Sequence, residues 1–338
     1  MLTLKCLVTG GAGYIGTHTL IALIEAGLQP VVVDNFCNGS IENIVHAENI
    51  TGVKIKYYNC NILDRELHDI FKEEKFDIVL HFAALKSVAD SIVHPLDYFE
   101  NNISGFINVL KNMESAGVKK LVFSSSAAIY SDKAIAPFSE NASIKPVTPY
   151  GQTKQIGEKI CEDLVKSGAG WQIVSLRYFN PAGAHKSGVI GDKPKFAPTN
   201  LFPVLGEVVS GRRTHIDLFG LDYDTKDGSA VRDYIHVMDL SEGHVAAIEW
   251  LLRDSMKDDS FNIFNLGTGV GTTVCEIIDT YVEISKTKIP IKKCSRRSGD
   301  LPIVYANPKR AFDLLGWKAR RSLAEMVTHD WNFRRRYL

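Results

Sequence analysis

The chain has 338 residues, and its 39 lysines and arginines are matched by 39 aspartates and glutamates, for a formal charge of zero. That balance excludes the basic excess of a nucleic-acid-binding or anionic-membrane protein, and 45% hydrophobic with 23% charged residues excludes a disordered or fibrous chain. Such a length accommodates about two domains. The start, Met1-Leu2-Thr3-Leu4-Lys5, lacks the layout of a secretory signal, and no stretch reaches membrane-spanning length, so a cytoplasmic protein is expected. Six scattered cysteines (Cys6, Cys37, Cys60, Cys161, Cys275, Cys294) contain no Cys-x-x-Cys pair, which predicts reduced thiols and no metal site.

From the N-terminus, β-branched runs at Leu4–Thr9, Pro30–Asp34, Val53–Tyr58, Ile78–Phe82, Leu121–Ser124 and Ile173–Arg177 read as strands with both faces covered. Between them lie helical patterns at Thr17–Ala26, Glu66–Glu74, Tyr98–Ala116 and Pro149–Lys166. Strand and helix alternating in this way predict an α/β fold with a doubly wound parallel, Rossmann-type sheet, whose ligands lie beyond the carboxyl ends of the strands. After about Asn180 the rhythm fails, prolines and glycines crowd Pro181–Pro203, and helical patterns return only at Leu240–Leu252 and Thr273–Thr287. The expected division is a dinucleotide-binding domain at 1–180 and a smaller, irregular α/β C-terminal substrate lobe at 181–338, partly interleaved with the first.

The sharpest local signal follows the first strand. In Gly10-Gly11-Ala12-Gly13-Tyr14-Ile15-Gly16, the glycines Gly10, Gly13 and Gly16 sit where a strand turns into a helix. Glycine there lets backbone approach a pyrophosphate, and the helix start offers N–H groups and a positive dipole end. Asp34 closes the second strand, where its carboxylate can accept from ribose hydroxyls and would repel a 2′-phosphate, so NAD is expected over NADP. The later Gly267–Gly271 cluster has the wrong spacing and reads as a structural turn.

Tyr150 and Lys154 stand at i and i+4 just inside a helix that Thr148 can cap and Pro149 can start, so both side chains face one way. A tyrosine near pKa 10 is a poor base at neutral pH, and a nearby ammonium is expected to stabilise its phenolate. Ser124-Ser125-Ser126 closes the fifth strand at the same sheet edge. Glycine turn, Asp34, strand-end serines and Tyr-x-x-x-Lys together predict hydride transfer between NAD and a secondary alcohol.

These residues resemble the short-chain dehydrogenase/reductase superfamily in its extended, sugar-nucleotide branch, and within it the UDP-glucose (UDP-galactose) 4-epimerases. The likeness rests on Val8–Gly16, Asp34-Asn35, His81–Lys86, Phe123–Ala127, Pro149–Gly151, Leu176–Pro181, Val231–Leu240 and Gly299–Pro302. It implies an enzyme that inverts C4 of a UDP-hexose through a transient 4-ketose, with NAD tightly bound. By position, Tyr150 would be the base, Ser126 would bridge to the same hydroxyl, and Lys154 would hold the nicotinamide ribose. Gly10, Gly13, Tyr14, Ile15, Gly16, Asp34, Asn35, Phe36, Cys37, Asn38, Gly39, Asn61, Ile62, Phe82, Ala83, Ala84, Leu85, Lys86, Asn102, Ser124 and Phe179 fall at cofactor positions. The resemblance assigns the UDP-sugar to Lys86, Ser126, Tyr150, Asn180, Asn200, Leu201, Asp217, Leu218, Phe219, Arg232, Tyr234, Arg297, Asp300 and Val304. A homodimer is also implied.

Three positions depart from that pattern: Asn61 replaces an aspartate facing adenine, Ala84 a glycine and Ala128 a threonine. Val304 occupies a position that is tyrosine or a small residue in the family, which implies room for the acetamido group of UDP-N-acetylglucosamine or UDP-N-acetylgalactosamine. Two rivals remain, a sugar-nucleotide 4,6-dehydratase and a non-catalytic NAD-sensing protein. The first needs an Asp-Glu pair where Ala127 and Ala128 stand.

Overall fold

A computed structural model of the chain describes residues 4–195, 197–253, 259–297 and 300–337. Two compact units divide it: Met1–Ser131, Ser143–Tyr178 and Ser241–Phe264 form the first, and Asp132–Ala142, Phe179–Leu240 and Asn265–Leu338 the second.

In chain order the first stretch carries β1 (Lys5–Thr9), α1 (Tyr14–Glu25), β2 (Gln29–Asp34), α2 (Ile41–Thr51), β3 (Lys56–Asn59), α3 (Glu66–Glu74), β4 (Ile78–His81), α4 (Val88–Val93) and α5 (Pro95–Phe99). A π-helical turn at Glu100–Ser104 leads to α6 (Gly105–Ser115), β5 (Lys120–Ser126), α7 (Pro149–Lys166) and β6 (Gln172–Tyr178). Beyond lie β7 (Asn180–Ala182), α8 (Leu201–Val209), β8 (Ile216–Phe219), β9 (Val231–Arg232), β10 (Tyr234–His236), α9 (Val237–Leu251) and β11 (Ser260–Leu266). The last elements are β12 (Thr272–Thr273), α10 (Val274–Ser285), β13 (Ile291–Cys294), β14 (Ile303–Val304) and α11 (Leu323–Arg334).

The main sheet has seven strands in the order β11-β6-β5-β4-β1-β2-β3, and β1 through β6 pair in parallel. Its inner strands are valine- and leucine-rich because helices cover both faces: Leu7, Val31, Val79, Leu121 and Ile173 are buried with Phe106, Met113 and Trp171. Each such side chain contributes about 1.5–3 kcal/mol on burial. Chain order reverses at β1, which lies between β2 and β4, and that reversal opens the crevice in which sheets of this class bind ligands.

Three expectations shift. The strand expected at Val53–Tyr58 is β3, shorter and at the sheet edge, so Lys56, Tyr57 and Asn59 are exposed rather than covered. The single helix expected over Tyr98–Ala116 is two, α5 and α6, joined by the π turn. The first helix begins at Tyr14, not Thr17, directly on the glycine turn.

The second unit is built from short pieces: β7 with β10, the sheet β12-β9-β14, and β8 with β13. Its core gathers Leu205, Leu218, Ile277, Tyr281, Met326 and Val327 around α8, α10 and α11. Capping boxes, Thr273 with Glu276 and Ser322 with Glu325, start the last two helices.

Candidate functional site

The turn between β1 and α1 is held open by what it lacks. Gly10 adopts φ +72°, and a Cβ there would lie 2.6 Å from the Ala83 nitrogen; at Gly16 a Cβ would collide with the Gly10 carbonyl. Gly13 caps α1 without any side-chain bond, and the first turn carries no acidic residue, so the helix start presents an uncontested positive end. Asp34, 8% exposed, accepts from Ala12 N at 3.0 Å and Phe36 N at 2.8 Å, tying the end of β2 to this turn. Phe36 takes φ +54°, and the Cys37 amide donates to Asn35 Oδ1, folding Asp34–Gly39 into a tight crook beside the turn. These features fit a dinucleotide: a cradle free of side chains, a helix dipole, and a carboxylate at the second strand's end.

The segment Phe82–Lys86 is fixed from the π turn. Asn102 accepts from Leu85 N at 2.8 Å, donates to Leu85 O at 3.0 Å and also donates to Thr153 Oγ1 at 3.1 Å, linking α7 to the end of β4. Asn61, at the end of β3, accepts from Leu63 N through its amide oxygen, and Ile62 is buried behind it.

On α7, Thr148 Oγ1 accepts from Gly151 N, and Pro149 fills the first helical position, as expected from their spacing. Lys154 is 4% exposed; its ammonium donates to the Ser124 carbonyl at 2.6 Å and lies 5.9 Å from the centre of the Tyr150 ring. Burial lowers its pKa to about 8 against an opposing pull from Glu158. Burial also pushes the Tyr150 phenol above its ordinary value, with the Ser126 hydroxyl acting in the other direction. Desolvation therefore outweighs the Ser126 hydroxyl at the phenol, while the Lys154 ammonium is held on the Ser124 carbonyl. Nearby His81 Nδ1 bonds Thr9 Oγ1 at 2.8 Å, and burial holds its pKa down at about 3, so the histidine adds no positive charge.

Sequence reading missed a buried ion pair beneath these groups. Glu158, one turn beyond Lys154, accepts from Arg177 Nε at 2.9 Å and Nη2 at 2.7 Å, and from the hydroxyls of Ser125 (2.6 Å) and Ser175 (3.0 Å). It also missed Tyr178, the register partner of Ser126, whose hydroxyl lies 2.5 Å from His244 Nε2. Only the i+4 step from Lys154 to Glu158 was a usable signal; the other partners are distant in sequence.

In the second unit, the structure brings together Phe219, Arg232, Arg297 and Asp300. Arg297 Nε donates to Asp300 at 3.0 Å, Arg232 lies 3.5 Å from the other carboxylate oxygen, and the Arg297 guanidinium stacks 4.7 Å over the Phe219 ring. Burial raises the Tyr234 phenol to about 12, although both arginines pull it down. Val304 pairs in register with Arg232. Asn180 pairs with Tyr234 between β7 and β10. Leu218 is buried in the core, and the Asp217 carboxylate is held by Arg213 and Cys294 instead of joining the Asp300 group. Asn200 and Leu201 start α8, Asn200 without a side-chain cap bond. Phe179 is buried at the head of this unit, and Gly299 lies outside the described residues.

The Gly267–Gly271 cluster is a structural turn, as expected, and it is already filled. The Asp233 carboxylate, fully buried, accepts from Thr268 N, Thr268 Oγ1, Gly269 N and Ala306 N at 2.6–3.1 Å. Among the described residues no group of histidines, cysteines or carboxylates could hold a metal, and no helix is long and apolar enough to cross a membrane.

The family profile described as "NAD dependent epimerase/dehydratase family" matches residues 6–267. The chain is 44% identical to the UDP-glucose 4-epimerase of Bacillus subtilis (strain 168) over 328 residues, 97% of this chain and 96% of that one. It is 46% identical to UDP-glucose 4-epimerase 2 of Arabidopsis thaliana over 97% of this chain and 94% of that one. Among solved structures, the UDP-glucose-4-epimerase from Stenotrophomonas maltophila with bound NAD and formylated UDP-arabinopyranose superposes with a TM-score of 0.95 at 42% identity, covering 99% of this chain and 98% of that one. The enzyme from Bifidobacterium longum in complex with NAD+ and UDP gives 0.93 at 40% identity, covering 98% of each chain.

Proposed function

The chain belongs to the NAD dependent epimerase/dehydratase family, and from this we infer that it interconverts UDP-galactose and UDP-glucose by inverting the hexose C4, with NAD as cofactor. The observation that carries the chemistry is the meeting of Ser124, Ser126, Tyr150 and Lys154 at the carboxyl edge of the sheet, in the unit that also holds the bare glycine turn.

Tyr150 takes the proton of the 4-hydroxyl and returns it on re-reduction. Ser126 bonds the phenol and shares that proton's path, and Lys154, fixed on the Ser124 carbonyl, supplies the cation that orients the cofactor's ribose. When bound, NAD supplies the hydride acceptor and donor and, in its oxidised form, a positive charge that offsets the burial of the phenolate. Gly10, Gly13 and Gly16 admit the pyrophosphate, Asp34 accepts from the ribose, and Asn102 holds Phe82–Lys86 in place. Arg232 and Arg297 present guanidinium forks for the UDP pyrophosphate, and Asp300 accepts from a hydroxyl. Water elimination as in a 4,6-dehydratase is not favoured, since Ala127 and Ala128 bring no carboxyl group to the turn after Ser126.

Val304, a small side chain beside Arg232, supports acceptance of 2-acetamido UDP-hexoses. The apolar side chains of Ile92, Val93 and Leu96 on α4 and α5 are 62–80% exposed, which supports a homodimer through that face; Leu96→Glu should leave a monomer in sedimentation, and an unchanged sedimentation coefficient opposes it. Free cysteines throughout support a cytoplasmic location, which a tagged chain found outside the cytoplasm would refute.

Incubation with UDP-galactose and no added cofactor should yield UDP-glucose with no net NADH. A 4-keto-6-deoxy product, or no turnover by chain carrying bound NAD, would overturn this function.

A further inference from the structure

Tyr150, Lys154 and Glu158 follow one another at four-residue steps, so they line one face of α7. The first two have roles in the reaction; the third touches neither substrate nor cofactor positions, yet it is the more tightly held. Its side chain is 7% exposed and that of Arg177 1%, and the two carboxylate oxygens receive two guanidinium and two hydroxyl hydrogens. Arg177 in turn donates to Tyr130 Oη at 3.0 Å. Ser125 and Arg177 are register partners on β5 and β6, so one carboxylate pins the helix across two strands.

The adjoining residue gives this clamp its meaning. Lys154 donates to the carbonyl of Ser124, and Glu158 accepts from the hydroxyl of Ser125. Helix and strand are thereby tied at consecutive residues, with Ser126, the next one, left to face Tyr150. The groups around the Lys154 ammonium are Tyr150 and Glu158 on α7, the ring of Phe123 and the Ser124 carbonyl on β5, and His81 on β4; Arg177 on β6 lies behind Glu158. Of these, Glu158 alone brings negative charge.

We propose that Glu158 is a positioning residue for the reaction: clamped by Ser125, Ser175 and Arg177, its carboxylate fixes Lys154 on the Ser124 carbonyl and supplies the negative charge that a buried ammonium requires. The inference rests on the catalytic reading of Tyr150 and Lys154 given above. Removing that charge lowers the lysine's affinity for its proton, and the unpaired Arg177 that remains pushes in the same direction.

The test compares Glu158→Gln with the double variant Glu158→Gln/Arg177→Met, in which Arg177 is not left as an unpaired buried guanidinium. Lys154 is titrated in the free protein through its 15Nζ shift, and turnover of UDP-galactose is measured on the NAD-loaded protein. In the parent, where burial lowers the ammonium to about 8, the midpoint is expected there. In both variants the midpoint should fall by about one pH unit, and kcat by roughly tenfold with KM within about twofold. Glu158→Asp should restore the midpoint. Failure of the midpoint to move in either variant, or return of midpoint and kcat to parental values in the double variant, overturns the proposal, the second result marking the pair as a fold staple only. A parent that titrates as described but turns over no UDP-galactose would instead refute the function and leave the electrostatic coupling standing.

Discussion

The two units hold their assigned groups in opposite ways. In the first unit the assigned groups are held by buried or part-buried hydrogen bonds: Lys154 on Ser124, Ser125 and Arg177 on Glu158, Asn102 on Leu85. In the second unit the groups assigned to UDP are charged, more exposed, and occupied with each other, Arg232 and Arg297 sharing Asp300. Proton transfer needs geometry fixed to a fraction of an ångström, so its groups are locked by burial. Anion capture needs guanidinium groups that can exchange one carboxylate for a phosphate, so they wait at partial exposure, neutralised by Asp300.

That contrast predicts where substitutions strike. Tyr150→Phe keeps the ring and removes the proton acceptor, so kcat should fall at least ~10²-fold with KM nearly unchanged in steady-state assays. Near-parental turnover would place the base elsewhere. Arg232→Ala should do the reverse: losing a charge-assisted bond worth about 1.5–3 kcal/mol raises KM for UDP-galactose by roughly 10- to 100-fold and leaves kcat within a few-fold. A kcat loss as large as that of Tyr150→Phe would erase the division between the two units. Val304→Tyr sharpens it further, since a bulkier side chain in register with Arg232 should cut turnover of UDP-N-acetylgalactosamine by about tenfold or more while UDP-galactose turnover stays within about twofold. Equal losses on both substrates would refute the size-exclusion reading.

A further effect, on stability and not on turnover, belongs to both units. Burial holds His81 down at about 3 in the first and His185 at about 4 in the second, against an ordinary value of 6.5. The unfolded chain takes up these protons first, so their contribution to stability is complete above pH 6.5 and drains away as pH falls towards 4. The expected slope is about 1.4 kcal/mol per pH unit for each histidine. Melting temperature measured against pH reads it, and His185→Asn should flatten the curve; a parental Tm constant between pH 6.5 and 4 would contradict it.

Legibility in the sequence followed the range of the interaction. The start of α7 was readable because Thr148, Pro149 and Gly151 act within one turn, and the glycine turn because its constraint is steric and local. The break between α5 and α6 was not, since a π turn preserves helical hydrophobicity while adding a residue, and the turn that displays Asn102 was smoothed into one long helix. The Glu158 clamp was hidden because its partners come from two strands and only folding aligns their registers. In the second unit the Arg213–Asp217 pair and the packing of Leu218 into the core likewise arise only on folding.

The turn at Gly267–Gly271 carries a lesson of its own. Its amide and hydroxyl hydrogens converge as they would on a phosphoryl group, but Asp233, from the single residue between β9 and β10, stands there instead, a home-grown anion. Nature's vocabulary for cradling negative charge thus appears twice in this chain, once addressed to a visitor and once to a resident, and what distinguishes the two is whether the protein has kept a carboxylate of its own within reach.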